Sequence, residues 1–175
     1  MTGMSPNACL GRIDVFNDVN ALGQVASFAD RQWGAEANNL LSQTPIYAVL
    51  VENDSGGTLA PGSGCTFKAG AIGKSVGANS AANGICDGIV DPYLPAAVPN
   101  KSYFWLIIGG PCSVLVGTGG LTDGALLQTG ATGTFVAGTA GTNPIGHSGR
   151  AAAAASATAL CRVYLNLPFQ AVRGC

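Results

Sequence analysis

From residue 103 to 108 the chain reads Tyr-Phe-Trp-Leu-Ile-Ile, and after Gly109-Gly110-Pro111 it resumes as Cys-Ser-Val-Leu-Val. Both halves are rich in aromatic and β-branched residues, which favour the pleated conformation, and Gly-Gly-Pro would break a helix. The glycine pair suits a tight hairpin or a bulged bend between two strands. Apolar side chains in the first half do not alternate with polar ones, so both faces of that strand must be covered. One face can meet the domain's own core, and the other a second layer or a neighbouring subunit. A clean alternation follows at residues 159–167. There Cys161, Val163, Leu165 and Leu167 form the core set, Leu160, Arg162, Tyr164 and Asn166 point outward, and Pro168 ends the strand.

Residues 46–52 form another apolar, β-branched run, stopped by Asn53-Asp-Ser-Gly-Gly57. Short strands are expected at residues 65–68 and 84–90, separated by a Gly-, Ala- and Asn-rich loop at 70–83. Pro92, Pro95 and Pro99 make residues 91–100 an extended connector on the surface or along an edge. Small strands are expected at 125–128 and 134–137, and residues 151–155 suit either a helical turn or a small-residue packing strand. Many short strands bounded by glycine predict an all-β fold, a small Gly-rich β-barrel or sandwich. The pattern assigns residues 41–175 to that domain.

Residues 1–40 differ in texture. They hold Asp14, Asp18, Asp30 and Glu36, with Arg12 and Arg31, and isolated large apolar groups at Phe16, Phe28 and Trp33. Neither a period of 2 nor one of 3.6 runs through them, although residues 19–28 could form a short helix. Such a segment cannot bury its aromatic side chains alone. It is read as an extended N-terminal arm that wraps over the domain or docks onto another protein.

Composition sharpens this picture. Charged residues make up 10% of the 175-residue chain, against about 25% in ordinary soluble domains. A surface that neutral points to burial in an assembly, the plainer alternative being a small neutral β protein. With a net charge of −1 and scattered Lys and Arg, no nucleic-acid partner is expected. No apolar run is long enough to cross a bilayer as a helix, so no membrane partner is expected either. The N-terminus lacks a basic start followed by an apolar core, which predicts synthesis in a cytosol. In that compartment Cys9, Cys65, Cys86, Cys112, Cys161 and Cys175 read most simply as small core residues, while an oxidising compartment would allow disulfides.

Candidate chemistry is sparse. His147 is the chain's single histidine, and Gly146-His147-Ser148-Gly149-Arg150 departs from a nucleophile elbow at its last position. Gly70-Ala-Ile-Gly73-Lys74-Ser75 resembles the end of a phosphate-binding loop, but Lys68 stands where the first glycine belongs. Asp87 and Asp91 could form a carboxylate pair, though a calcium site needs more oxygen ligands. Asn53-Asp-Ser and Asn100-Lys-Ser match the glycosylation pattern, which carries meaning only on a secreted chain. No catalytic residue, metal site or cofactor is assigned. The aromatic pair Tyr103 and Trp105 fits a core or a subunit interface better than a ligand groove, which would need convergent polar groups nearby.

Residues 98–169 carry, in order, Val98-Pro-Asn-Lys-Ser-Tyr-Phe-Trp-Leu, Gly110-Pro-Cys-Ser-Val-Leu-Val, Asp123-Gly-Ala-Leu, Pro144-Ile-Gly, an alanine-rich stretch and Cys161-Arg-Val-Tyr-Leu-Asn-Leu-Pro-Phe. In this order the stretch resembles the head decoration, or cement, proteins of tailed bacteriophages. The resemblance implies a compact β domain, usually a homotrimer, on the outer surface of the icosahedral capsid and made in the host cytoplasm. Its partner would be the major capsid protein, whose neighbouring subunits it clamps. On that reading Arg12, Phe16, Phe28, Arg31 and Trp33 are the capsid-contacting arm residues, and Tyr103, Trp105 and Ile107 pack at a subunit interface. The competing classes are a small β-barrel ligand binder or enzyme, and a secreted adhesin-like subunit stapled by disulfides.

Overall fold

The computed structural model describes residues 10, 11, 13, 21–30, 44–138 and 149–165. Among them are ten strands: β1 (Val25–Phe28), β2 (Ile46–Asn53), β3 (Gly64–Phe67), β4 (Ser75–Asn79), β5 (Gly88–Val90), β6 (Tyr103–Leu115), β7 (Leu127–Thr129), β8 (Phe135–Ala137), β9 (Gly149–Ala151) and β10 (Leu160–Leu165). A 3-10 turn at Ala131–Gly133 joins β7 to β8. The protein is all-β, as the pattern predicts. The short helix expected over residues 19–28 gives way to β1. Gly23 turns the chain at φ +88°, and from Val25 onward the period is two, with Ala26 facing the core and Val25 and Ser27 exposed.

Of the two forms expected for the apolar stretch, the structure has the bulged bend rather than the hairpin, within one strand, Tyr103–Leu115. In its pairing with β2, Tyr47 opposes Gly109 while Ala48 opposes Ile107, so Ile108 is the extra residue of a bulge. Gly110 follows at φ +89°, and a Cβ there would lie 2.2 Å from the Pro45 carbonyl oxygen, an approach only glycine permits. The bend lets β6 change partners. Its first half lies against β2 and β5, and its second half pairs antiparallel with β10 from Gly110↔Leu165 to Leu115↔Leu160.

Strands β2, β4, β3, β5 and β6 hydrogen-bond in that order, and β6 returns to β2, so part of the sheet is ring-like. The ring closes through a short parallel contact, Glu52↔Ser75 and Asn53↔Val76. It is not a clean barrel, because β1 adds to β2 while β10 and then β9 add to β6, making a mixed eight-stranded sheet. Along one edge of β2, Leu50 N–H donates to Gln24 C=O, whereas the Glu52 and Asp54 N–H groups donate to the Lys74 and Val76 carbonyls. Strands β1 and β4 therefore share that edge end to end. Strand β4 falls in the stretch expected to be loop. Its weak β-propensity is overridden because it is paired on both sides and Val76 enters the core.

Two apolar clusters result. One collects Val49, Val51, Cys65, Val76, Val90, Phe104 and Leu106 from all five ring strands, closed over by Leu59, Leu94 and Val98. Leu94 and Val98 come from the proline-rich connector, which thus supplies core side chains and bridges to Leu59 through Val98. The other cluster lies against the outside of the ring. It brings together Ile46, Ala48, Leu50, Ile89, Trp105 and Ile107 with Cys112, Val114, Leu127, Phe135, Cys161 and Val163. The core set foreseen on β10 is present as Cys161, Val163 and Leu165, while Leu167 lies outside the described residues.

Asn53, fully buried at the end of β2, organises the nearby loops. Its Nδ2 donates to the carbonyls of Gly57, Val98 and Pro99 at 2.9 to 3.0 Å, and its Oδ1 accepts from Ser55 N–H and Oγ. With its amide so engaged, Asn53 cannot serve as a glycan acceptor in the folded state.

The neighbouring glycines of β6 offer a controlled test of the bend. Gly110→Ala should destabilise the protein by at least about 2 kcal/mol through left-handed strain and the Pro45 clash. Gly109→Ala should cost less, because its Cβ would find Tyr47 Cδ2 at an ordinary 3.9 Å. Urea unfolding of both variants measures the difference.

Candidate interaction surfaces

The strand predicted to face a subunit is covered by the chain itself. Trp105 is 1% exposed and Ile107 is 0% exposed, both packed beneath the second half of β6 and β10. The expectation that these two side chains meet a neighbouring subunit is corrected: the second layer that they require is the chain's own. Tyr103, at the start of β6, is half-buried. Phe28, expected to reach outward to a capsid, packs edge-on against Trp105 with ring centroids 5.2 Å apart. It is joined to the body through the pairing of β1 with β2. Arg12, Phe16, Arg31 and Trp33 lie outside the described residues.

Near the end of β1, the fully buried Asp30 carboxylate pairs with the Arg162 guanidinium of β10. The two residues are 132 positions apart. Arg162 does stand on the outward side of its strand, but with a side chain 26% exposed it turns to Asp30 instead of to open solvent. No local pattern pairs residues so distant, so sequence reasoning placed them separately. The contact ties the N-terminal strand to the C-terminal one.

Charge is concentrated elsewhere, at the Asn53 end of the ring. Asp54 pairs with both Lys68 and Lys101, and Lys101 also lies 3.5 Å from Glu52. Hydrogen bonds from Lys101 first, then Lys68, hold the Asp54 carboxyl below the usual range. Lys74, the third lysine, accepts the Glu52 N–H at its backbone carbonyl, which places its main chain beside this group. These are exposed pairs and contribute little to stability. They make a solvated pole on an otherwise neutral body.

Exposed apolar side chains occur at Val25, Tyr47, Ile72, Ile85, Leu126, Leu160 and Tyr164. Leu160 and Tyr164 share the outward side of β10, across from Leu115 and Pro111 of β6. Val25 and Tyr47 lie on the outward side of β1 and β2.

The remaining candidates are absorbed by local structure. Asp87 accepts the Phe67 N–H at 2.8 Å, and Asp91 accepts the N–H groups of Gly11 and Tyr93. Each carboxylate holds its own backbone donors. The phosphate-loop look-alike is a tight turn, with Ala71 and Lys74 N–H donating to the Lys68 and Ala71 carbonyls, and a strand rather than a helix follows it. Cys65, Cys86, Cys112 and Cys161 are buried and free. Burial pushes the Cys86 thiol up to about 11 and raises Cys65 and Cys112 as well. His147 lies outside the described residues.

No protein-family model and no curated protein sequence matches the chain. Among solved structures, the fold is similar to that of the N base of head fiber gp8.5 in bacteriophage phi29, with a TM-score of 0.52 and 15% identity. The match covers 69% of this chain and 94% of that one. At that identity the likeness is one of fold.

Substitutions separate core from surface. Trp105→Ala should lose about 3–5 kcal/mol of stability, as large aromatic truncations in cores do, whereas Tyr164→Ala should stay within about 0.5 kcal/mol. Asp30→Asn should destabilise clearly, since it leaves a partly buried guanidinium without its charge partner, whereas Asp54→Asn should change stability little. Denaturant midpoints of the four variants test this ranking.

Proposed function

We propose that the protein is a structural component of a bacteriophage head, decorating the outside of the icosahedral shell and stabilising it by bridging neighbouring major capsid subunits. The observation that carries this reading is the fold, shared across nearly the whole of a phage head-fiber base. The sequence resemblance of residues 98–169 to head decoration proteins and the charge-poor surface support it. Its action is mechanical rather than catalytic, and it needs no cofactor. A contact of about 800 Å² per partner can be modest in affinity. Several such contacts made at once hold through effective concentration while single ones open and close. Preferring the assembled lattice over free capsid subunits shifts the equilibrium toward the closed shell.

The oligomer is proposed to be a homotrimer. Because Trp105 and Ile107 are enclosed, its contacts are proposed to draw on exposed side chains of the body such as Tyr47, Leu160 and Tyr164, together with the arm residues Arg12, Phe16, Arg31 and Trp33. The pole where Lys68 and Lys101 pair with Asp54, already solvated, is proposed to face solvent. Removing all of residues 1–40 would take β1 away with the arm, so the arm is better probed by deleting residues 31–43 in favour of a flexible linker of equal length.

The test is co-sedimentation of the purified chain with expanded, empty heads of the phage that encodes it. Saturable binding at a fixed number of copies per head is expected, together with a higher temperature of head disruption. A chain that stays in the supernatant and leaves head stability unchanged would refute the proposal.

A further inference from the structure

The loop between β4 and β5 carries the chain's single Asn-Gly step, Asn83-Gly84. It lies in the turn Ala81–Gly84, closed by the Gly84 N–H donating to the Ala81 carbonyl at 3.0 Å. The fold selects both residues. Asn83 stands at the third position of the turn with φ +57°, a left-handed setting that suits glycine and asparagine above other residues. At the fourth position a Cβ would lie 3.0 Å from the Ala81 carbonyl oxygen and 3.3 Å from the Ala81 Cβ, which favours glycine.

Asn83 is exposed, yet its main chain is fixed to the body. Its N–H donates to the Thr129 carbonyl of β7 at 2.9 Å, and Thr129 Oγ1 donates to the Gly84 carbonyl at 3.1 Å. Thr129 is 0% exposed, so this clamp closes from inside the molecule. The turn is thus held on both sides of the Asn83–Gly84 peptide bond.

We propose that Asn83 is a site of spontaneous deamidation and that the Thr129 clamp sets its rate. The Gly84 amide nitrogen attacks Cγ, the side-chain carbonyl carbon of Asn83. A C–N bond forms there, the Cγ–Nδ2 bond breaks, and the side-chain nitrogen leaves as ammonia with the proton from Gly84. Water then opens the five-membered succinimide at either carbonyl, giving aspartate or, with the main chain rerouted through Cβ, isoaspartate. Water is the one co-reactant, and Gly84 has no side chain to hinder its nitrogen. The fold holds the reaction back. The Gly84 N–H is engaged with Ala81, and reaching Cγ requires the Asn83–Gly84 peptide to rotate out of its left-handed setting, pulling the Gly84 carbonyl off Thr129 Oγ1. Conversion places a carboxylate on the turn, and isoaspartate adds one main-chain atom between the two bonds to β7. The inference stands on this geometry and is independent of any role on a phage head.

The experiment is peptide mapping by mass spectrometry of the full chain after incubation in mildly alkaline buffer, native and in guanidinium chloride. Wild type, Thr129→Val and Thr129→Ser are compared. Asn83 is expected to gain the amide-to-acid mass slowly in the native wild type and faster in denaturant, with isoaspartate among the products. Native Thr129→Val should convert roughly two- to tenfold faster, the effect of losing one neutral hydrogen bond, while Thr129→Ser keeps the hydroxyl and the wild-type rate. In denaturant, where the clamp is gone, all three should convert alike. An Asn83 left intact in the native chain over the interval that converts it in denaturant would overturn the proposal, as would equal rates for wild type in the two conditions. So would a native Thr129→Val no faster than wild type, or a Thr129→Ser as fast as Thr129→Val, since the rate would then not follow the hydroxyl.

Discussion

Everything in this fold depends on β6 being apolar on both faces. A strand with one wet face can end a structure, but one carrying Phe104, Leu106 and Ile108 on one side and Trp105 and Ile107 on the other must lie between two cores. Fully burying each such side chain contributes roughly 1.5–3 kcal/mol before conformational entropy is counted. The chain meets the demand by curling five strands around one face and folding β10, β9, β7 and β8 over the other. The bulge at Ile108 and the left-handed turn at Gly110 make this possible, because one continuous strand can then serve the ring with its first half and the outer layer with its second.

That economy bears on function. A body that satisfies its own central strand can fold without a partner, so any assembly must rest on what is left outside. Much of the charge among the described residues is paired: Lys68 and Lys101 bind Asp54 at one pole, and Arg162 is turned onto Asp30. What remains is a charge-poor skin with exposed charges at Lys74, Asp123 and Arg150 and single exposed apolar side chains such as Tyr47 and Tyr164. Such a skin has little to steer a diffusing partner and little to oppose close packing against a repetitive surface.

The parts of the fold that were legible in the chain are those set by short-range pattern. The alternation on β10, the run at β2 and the strand character of β6 follow directly from side-chain order. Strand β4 was not legible, because Ser-Val-Gly-Ala-Asn becomes a strand only through its neighbours, with Gly77 admitting the Lys68 backbone at 3.0 Å from where a Cβ would be. Nor was the closure of β6 by its own chain: an apolar strand reads the same whether its second cover is a subunit or another part of the molecule. The Asp30–Arg162 pair and the Asp91 seat for Gly11 depend on contacts across 132 and 80 residues, and no sequence period encodes them.

Native-state hydrogen exchange along β6 addresses the central claim most directly. If one strand knits both cores into a single cooperative unit, amides on either side of Gly110 should exchange only through global unfolding, with the same free energy and the same denaturant dependence. Two separate energies, with residues 110–115 opening alongside β10 while residues 103–109 stay protected, would contradict it.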